Sequence, residues 1–205
     1  ARRTKALYRG LGWPALFARI RFVTAPYERL EPYVPVTGRI VDLGCGYGIF
    51  SHLLGLMAPG RRVLGLDLDA AKIARAPRGG DNVVNRLGDI RAEALEPADC
   101  ILLVHVLHHL DSYVAQEKLL ASCRDKLNGG GRLVICEVNG APRWKFALGR
   151  LADFVLYPGD PIFYRFPAEM KDLLARSGFQ AEMRLIHEGT PFSHAVYVCT
   201  KNEKK

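Results

Sequence analysis

Residues 38–54 read GRIVDLGCGYGIFSHLL. Ile40, Val41 and Leu43 favour a strand, Gly44, Gly46 and Gly48 follow at alternate positions, and an apolar helical pattern starts at Ile49. Glycine at a strand-to-helix junction costs conformational entropy, so three of them mark a backbone that something must approach closely. The helix that follows presents unpaired N–H groups, and in an open α/β sheet ligands settle beyond the carboxyl ends of the strands. This stretch therefore predicts a first strand, a ligand-binding turn and a first helix in succession.

Working outward, the same alternation repeats. Residues 61–69 predict a second strand, 70–76 a short helix with Asp69 as its N-cap, and 82–89 a third strand. The run at 99–106, DCILLVHV, is almost continuously apolar, as a strand covered on both faces must be. Residues 113–131 predict a helix closed by Asn128 and three glycines in a left-handed exit, and 132–138 a fifth strand. Strand and helix alternating in this way predict an α/β, doubly wound, mostly parallel sheet with right-handed crossovers. After Val138 the rhythm changes to an aromatic-rich segment interrupted by proline and glycine, at about 140–167. A helix at 167–179 follows, with Pro167 in its first turn, Met170, Leu173 and Leu174 inward and Gly178 at its exit, and then two closing strands. Ahead of the first strand, Trp13, Leu16, Phe17 and Ile20 share one helical face, so residues 1–37 form an N-terminal helical cap and 38–205 the main domain.

The composition, 49% hydrophobic and 24% charged over 205 residues, suits one well-buried globular core. No apolar run reaches the roughly 18 residues of a membrane span, and the first residues lack a continuous signal core, so a cytoplasmic protein is expected. The five cysteines, Cys45, Cys100, Cys123, Cys136 and Cys199, show no C-x-x-C spacing; they read as buried thiols, and no metal is expected. A net charge of +8 suits nucleic acid, an anionic membrane surface or an acidic substrate, but the basic residues are scattered rather than gathered in one stripe.

Asp67 ends the second strand 23 residues after Gly44, close to the spacing at which a carboxylate receives ribose hydroxyls. The ligand is then an adenosine-type cofactor. A dinucleotide fingerprint is G-x-G-x-x-G, whereas here the third glycine comes one residue early and Ile49 stands in its place. Asp42, just before the turn, is an awkward neighbour for pyrophosphate and a natural partner for a cation. Both features argue against NAD and for a cofactor that carries positive charge.

At this point the sequence resembles the class I S-adenosylmethionine-dependent methyltransferases, in the Rossmann-like, small-molecule branch. VDLGCGYG is similar to their first motif, VLGLDLD to the second-strand motif, LGDI to the third, and ADCILLVHVLHHLD and LNGGGRLVICEV to the fourth- and fifth-strand blocks. The resemblance implies a seven-stranded sheet ending in an antiparallel C-terminal hairpin, with S-adenosyl-L-methionine as cofactor. It implies that Asp42, Gly44, Cys45, Gly46 and Gly48 hold the methionine end and that Asp67 takes the ribose hydroxyls. Leu68 would pack on the adenine, Asp89 and Ile90 would meet it, and Leu103 would lie beside the methionine part.

A sulfonium already activates its methyl group, so the protein must align a nucleophile and exclude water; a base is needed only where the acceptor must lose a proton. His105, near the tip of the fourth strand, and Glu137, at the end of the fifth, are the candidate catalytic residues. Of the pair after the fourth strand, His108 is placed with the cofactor-binding residues, and His109 reads as a structural histidine on a short helix. Trp144, Phe146, Phe154, Tyr157, Phe163, Tyr164 and Phe166 either form a lid over the cofactor or complete the core. With Tyr8, Trp13, Phe17, Arg19, Arg21 and Phe22 they suggest a small, apolar or lipid-like acceptor and peripheral contact with a membrane surface through the N-terminal basic amphipathic stretch. Nucleic-acid (RNA) methylation is the alternative, raised by the charge and opposed by the missing Asn/Asp-Pro-Pro-aromatic block of base-amine methylating enzymes; an NAD-binding oxidoreductase is a more distant one. Oligomeric state is not legible.

Overall fold

Strands that bury side chains on both faces must lie inside a sheet covered by helices on both sides, and β1 is of that kind. The computed structural model describes residues 1–92, 95–156, 159 and 161–202. Helices α1 (Arg2–Leu7), α2 (Trp13–Thr24) and α3 (Tyr27–Leu30) and a 3-10 turn at Glu31–Tyr33 lead into β1 (Gly38–Leu43), α4 (Ile49–Met57), β2 (Arg61–Asp67), α5 (Ala70–Ala74), β3 (Val83–Leu87) and β4 (Ala98–Val104). After a 3-10 turn at Leu107–His109 come α6 (Tyr113–Lys126), β5 (Leu127–Val138), α7 (Arg143–Leu156), α8 (Pro167–Arg176), β6 (Phe179–Ile186) and β7 (His194–Lys201). All seven strands join one sheet in the order β3-β2-β1-β4-β5-β7-β6. The first five run parallel, and β7 is antiparallel to both β5 and β6. The strand order reverses between β1 and β4, which places the crevice for a ligand above the glycine turn.

Alternate side chains of the central strands point to opposite faces and build two cores. Val41, Leu43, Ile101, Leu103, Leu133 and Ile135 face α6 and α8, where they meet Leu119, Leu120, Leu173 and Leu174. Ile40, Cys100, Leu102, Val134 and Cys136 face the N-terminal helices and α4, where they meet Tyr8, Leu30, Leu53 and Leu54. All five cysteines are free thiols, four of them buried.

The N-terminal helices are tied to the second core by Arg61, whose side chain is fully buried. Its guanidinium pairs with Glu31 at 2.8 Å and donates to the carbonyls of Val34 at 2.9 Å, Pro35 at 2.6 Å and Leu54 at 3.0 Å. Tyr8 adds a hydrogen bond to the Tyr47 carbonyl at 2.7 Å, across from the glycine turn.

Two local expectations change. Helix α6 ends at Lys126 with Leu127 in an extended conformation, so Asn128 is not a left-handed exit. Its side-chain amide donates instead to Asp99 at 2.7 Å. The segment after Val138 contains a 14-residue helix, α7, where proline and glycine had suggested irregular chain. Its apolar residues Trp144, Leu151, Phe154 and Val155 are exposed, so helical propensity rather than core burial carries them. On α2 the face shared by Trp13, Leu16, Phe17 and Ile20 lies largely at the surface: Trp13, Leu16 and Ile20 are exposed, and Phe17 packs edge-on against Tyr47. Tyr157 and the last three residues of the tail lie outside the described residues.

Arg61→Met removes a buried cation and strands Glu31 and three carbonyls, a loss of about 3–5 kcal/mol. Thermal unfolding of the variant, followed by circular dichroism, is expected to show a midpoint lower by on the order of 10 °C. A drop of only a degree or two would show that the cap is held chiefly by its apolar contacts.

Candidate active site

The glycine turn is left-handed at every second residue, with φ of +75° at Gly44, +56° at Gly46 and +71° at Gly48. A Cβ on Gly44 would sit 2.6 Å from Val106, so that position is closed to any side chain. At Gly46 the nearest atom to such a Cβ is 4.0 Å away: the backbone there is bare and faces open space. That space is a cavity floored by Gly44, Cys45 and Gly46, with Asp42 and Asp67 on one side and the histidines beyond β4 on the other. A bare backbone, two carboxylates and an adjacent helix N-terminus fit a cofactor with hydroxyls and an ammonium group.

The carboxylates are held differently. Asp67 accepts the Gly46 amide at 2.7 Å and the Asp69 amide at 2.9 Å, one on each oxygen, so its orientation toward the turn is fixed. Asp42 is buried; burial pushes its carboxyl up to about 6, against the pull of the Ser51 hydroxyl that donates to it at 2.6 Å. A buried carboxylate of this kind gains from a cation nearby. Ser51, in the first turn of α4, carries no motif signal.

Other expected positions disperse. Asp89 lies at the surface, accepting the Arg91 amide at 2.9 Å and paired with its guanidinium, which holds its carboxyl below the ordinary range. Leu68 is exposed and Ile90 buried, and neither lines the cavity with Asp42 and Asp67. The Leu103 side chain is buried in the opposite core; Val104, one residue on, lines the cavity.

Beyond β4 the backbone bends sharply at His105, the one non-glycine residue of positive φ among those described, at +58°. Arg21 of α2 donates to His105 Nδ1 at 3.0 Å, so that nitrogen is unprotonated and Nε2–H donates to His194 Nδ1 at 3.1 Å. Burial, then the Arg21 charge, keeps His105 neutral. Both its nitrogens are engaged inside the protein, so the proton-accepting role expected of His105 does not suit its geometry; it forms a wall of the cavity instead.

Glu137 is not a solvated turn carboxylate. It is buried, with Oε1 accepting the amides of Val106 at 3.0 Å and Leu107 at 2.8 Å. Oε2 accepts a short hydrogen bond from His108 Nδ1. That bond directs His108 Nε2 away from Glu137, and among the described residues Nε2 has no hydrogen-bond partner. Burial opposes a charge on His108, but the Glu137 carboxylate and then Asp153 outweigh it and raise its basicity. The ring stacks on Tyr164 at 5.3 Å between centroids, and the Tyr164 hydroxyl donates to Asp153. Asp153, on α7, and Phe192 complete the walls with Phe17, Arg21, Thr24 and Tyr27 from the N-terminal helices. The aromatics of 144–166 divide: Phe146, Tyr164 and Phe166 pack on one another, whereas Trp144 and Phe154 face outward.

The methyltransferase-domain family matches residues 17–182. Among curated proteins the chain is similar to a ubiquinone biosynthesis O-methyltransferase of Xanthomonas axonopodis pv. citri, with 29% identity over 177 residues, 80% of this chain and 69% of that protein. It is also similar to a trans-aconitate 2-methyltransferase of Paracidovorax citrulli, with 33% identity over 125 residues, 60% of this chain and 48% of that one. Among solved structures, human N-acetylserotonin methyltransferase in complex with SAM superposes with a TM-score of 0.73 at 19% identity, over 97% of this chain and 58% of that one. The chain thus spans from about half to two thirds of the length of these relatives.

Asp67→Ala is expected to weaken S-adenosylhomocysteine binding by about 1.5–3 kcal/mol, the range for hydrogen bonds to a charged group. Isothermal titration reads this as roughly 10- to 150-fold in Kd, and affinity equal to that of the unaltered protein would remove Asp67 from the cofactor site.

Proposed function

The chain belongs to the methyltransferase-domain family, that of the class I S-adenosylmethionine-dependent enzymes, and on that premise we propose that it methylates a hydroxyl oxygen of a small, apolar or lipid-like molecule, with His108 as the base. The observation that carries the reading is the buried pair of Glu137 and His108, a residue of the cavity lining whose second ring nitrogen has no hydrogen-bond partner among the described residues. The relative named as an O-methyltransferase of ubiquinone biosynthesis supports an oxygen acceptor.

When bound, S-adenosylmethionine supplies a methyl group already activated on a sulfonium. The residues of this chain then have three tasks. Asp42, Asp67 and the Gly44–Gly48 turn hold the cofactor at one end of the cavity. Phe17, Tyr27, Val104 and Phe192 give the acceptor an apolar wall and exclude water, which strengthens every polar contact within. His108 Nε2 takes the hydroxyl proton as the oxygen gains the methyl group, and Glu137 stabilises the imidazolium so formed while fixing its orientation. Glu137 acts through His108 and is a positioning residue.

Two features support an apolar acceptor reached from a membrane surface. Helices α2 and α7 both line the cavity and both expose apolar residues: Trp13 and Ile20 at the cavity's edge and Leu16 and Val23 away from it on α2, and Trp144, Leu151, Phe154 and Val155 on α7. Exposed Arg19, Arg143 and Arg150 stand on the same helices, and the chain as a whole carries +8. Apolar side chains flanked by arginine are the composition that settles into anionic headgroups.

His108→Asn is expected to leave S-adenosylhomocysteine affinity within threefold and to lower kcat on a phenolic acceptor by about 10²–10⁴, the usual contribution of a general base. A kcat close to that of the unaltered enzyme would sink the base assignment. For the surface, sedimentation with phosphatidylglycerol-containing vesicles is expected to retain the full chain and to lose at least tenfold of that binding in the double variant Trp13→Glu, Trp144→Glu. Equal retention of both proteins, or of neither, would remove membrane contact from the proposal.

A further inference from the structure

The fold places a second histidine and a second carboxylate against His108 Nε2. His109, the next residue of the 3-10 turn, lies with its ring centroid 4.2 Å from that of His108. Asp153 reaches in from α7, its Oδ2 3.9 Å from His108 Nε2. One ligand atom from each of the three lies within 4.8 Å of the other two. Neighbouring ligands of a tetrahedral zinc centre stand roughly 3.4 Å apart, so small side-chain rotations close the set.

The surroundings are those of a metal centre as well. His108 donates its other ring nitrogen to the Glu137 carboxylate, the arrangement that fixes the tautomer of a metal-binding histidine and raises its basicity. The Tyr164 hydroxyl donates to Asp153 and so orients that carboxylate. His108 is 2% exposed, its Nε2 is buried without a hydrogen-bond partner among the described residues, and His108, His109 and Asp153 all line the cavity. Three protein ligands and a cavity beyond them leave a fourth position for water or solute.

We propose that His108 Nε2, a ring nitrogen of His109 and the Asp153 carboxylate bind a dication of the zinc class, and that occupancy inhibits methyl transfer. Two imidazoles and one carboxylate select Zn²⁺, Co²⁺, Ni²⁺ or Cu²⁺ over Mg²⁺ and Ca²⁺, which take oxygen ligands. The inhibition rests on the base assignment above: the lone pair that would take the acceptor's proton is the one the metal engages. A bound ion would also fasten α7 to the turn after β4 and so hold the helix over the cavity. The other cluster of ligand types, His105, Cys136 and His194, is less suited, because His105 already gives both ring nitrogens to Arg21 and His194.

Co²⁺ is the probe, titrated into chelator-treated full-length protein without cofactor or acceptor and followed by its visible d–d bands. One equivalent is expected to bind, to be displaced by Zn²⁺, and to slow tryptic cleavage within α7. His109→Asn and Asp153→Asn, each checked for an unchanged unfolding midpoint, are expected to weaken it at least tenfold, whereas Cys136→Ser leaves it intact. No saturable bands, or bands lost in Cys136→Ser and kept in Asp153→Asn, would overturn the site. Binding that leaves turnover unchanged or raises it would overturn the inhibition. Because binding is read without methyl transfer and the His108 base without metal, failure of one is separable from failure of the other.

Discussion

A carboxylate buried at the end of β5 is unstable unless every oxygen finds a donor, and the way Glu137 finds them shapes the cavity. Two of its donors are the amides of Val106 and Leu107, freed where the chain leaves β4 and turns. The third is His108. Together they hold the chain as it leaves β4 for the 3-10 turn at 107–109 and fix the His108 ring in the lining of the cavity above the glycine turn. Leaving such a carboxylate uncompensated costs several kcal/mol, so the bend is held by the same energy that makes the site polar. The positive φ of His105, a strain of about 1–3 kcal/mol, is tolerated inside that constraint.

The opposite end of the cavity is set by absence rather than by contact. Gly44 has no room for a side chain because Val106 fills it, and Gly46 has room but presents only backbone. Val106 is thus shared: its side chain closes over the turn after β1 while its amide is fixed by Glu137. The glycine turn and the Glu137–His108 pair are joined through one residue, so a shift in the β4 exit moves both.

What the sequence disclosed follows from the range of the interactions involved. Strand alternation, the Asp69 cap, Pro167 and Gly178 are local, and each was legible because propensity and position agree within a few residues. The glycine turn and Asp67 were legible because their spacing is fixed by the strand–helix–strand unit. Asn128 misled because its amide prefers Asp99, 29 residues away, to the helix end beside it. A period of two along β4 sends the Leu103 side chain to one core and those of Leu102 and Val104 to the other, and of the three only Val104 lines the cavity. The roles of His105, His108, Asp153 and His194 depend on contacts up to 89 residues apart, for which no periodicity exists. α7 was hidden because its apolar residues are not spent on the core, and core burial is what a hydrophobic pattern reports.

That last point bears on how the cavity works. A helix whose large apolar residues face outward gains little from its own docking, and α7 is held to the body mainly by polar contacts: Asp153 by Tyr164, and Lys145 by the carbonyls of His187 and Thr190. Phe146 adds edge-on packing against Tyr164 and Phe166, but most of the large apolar side chains of α7 contribute no burial. Under the function proposed above, an apolar acceptor in the cavity, or an apolar phase against the outer face of α7, would supply the burial that the helix lacks on its own. The cofactor end, by contrast, is fixed by Glu137, Val106 and the glycine turn, none of them on α7.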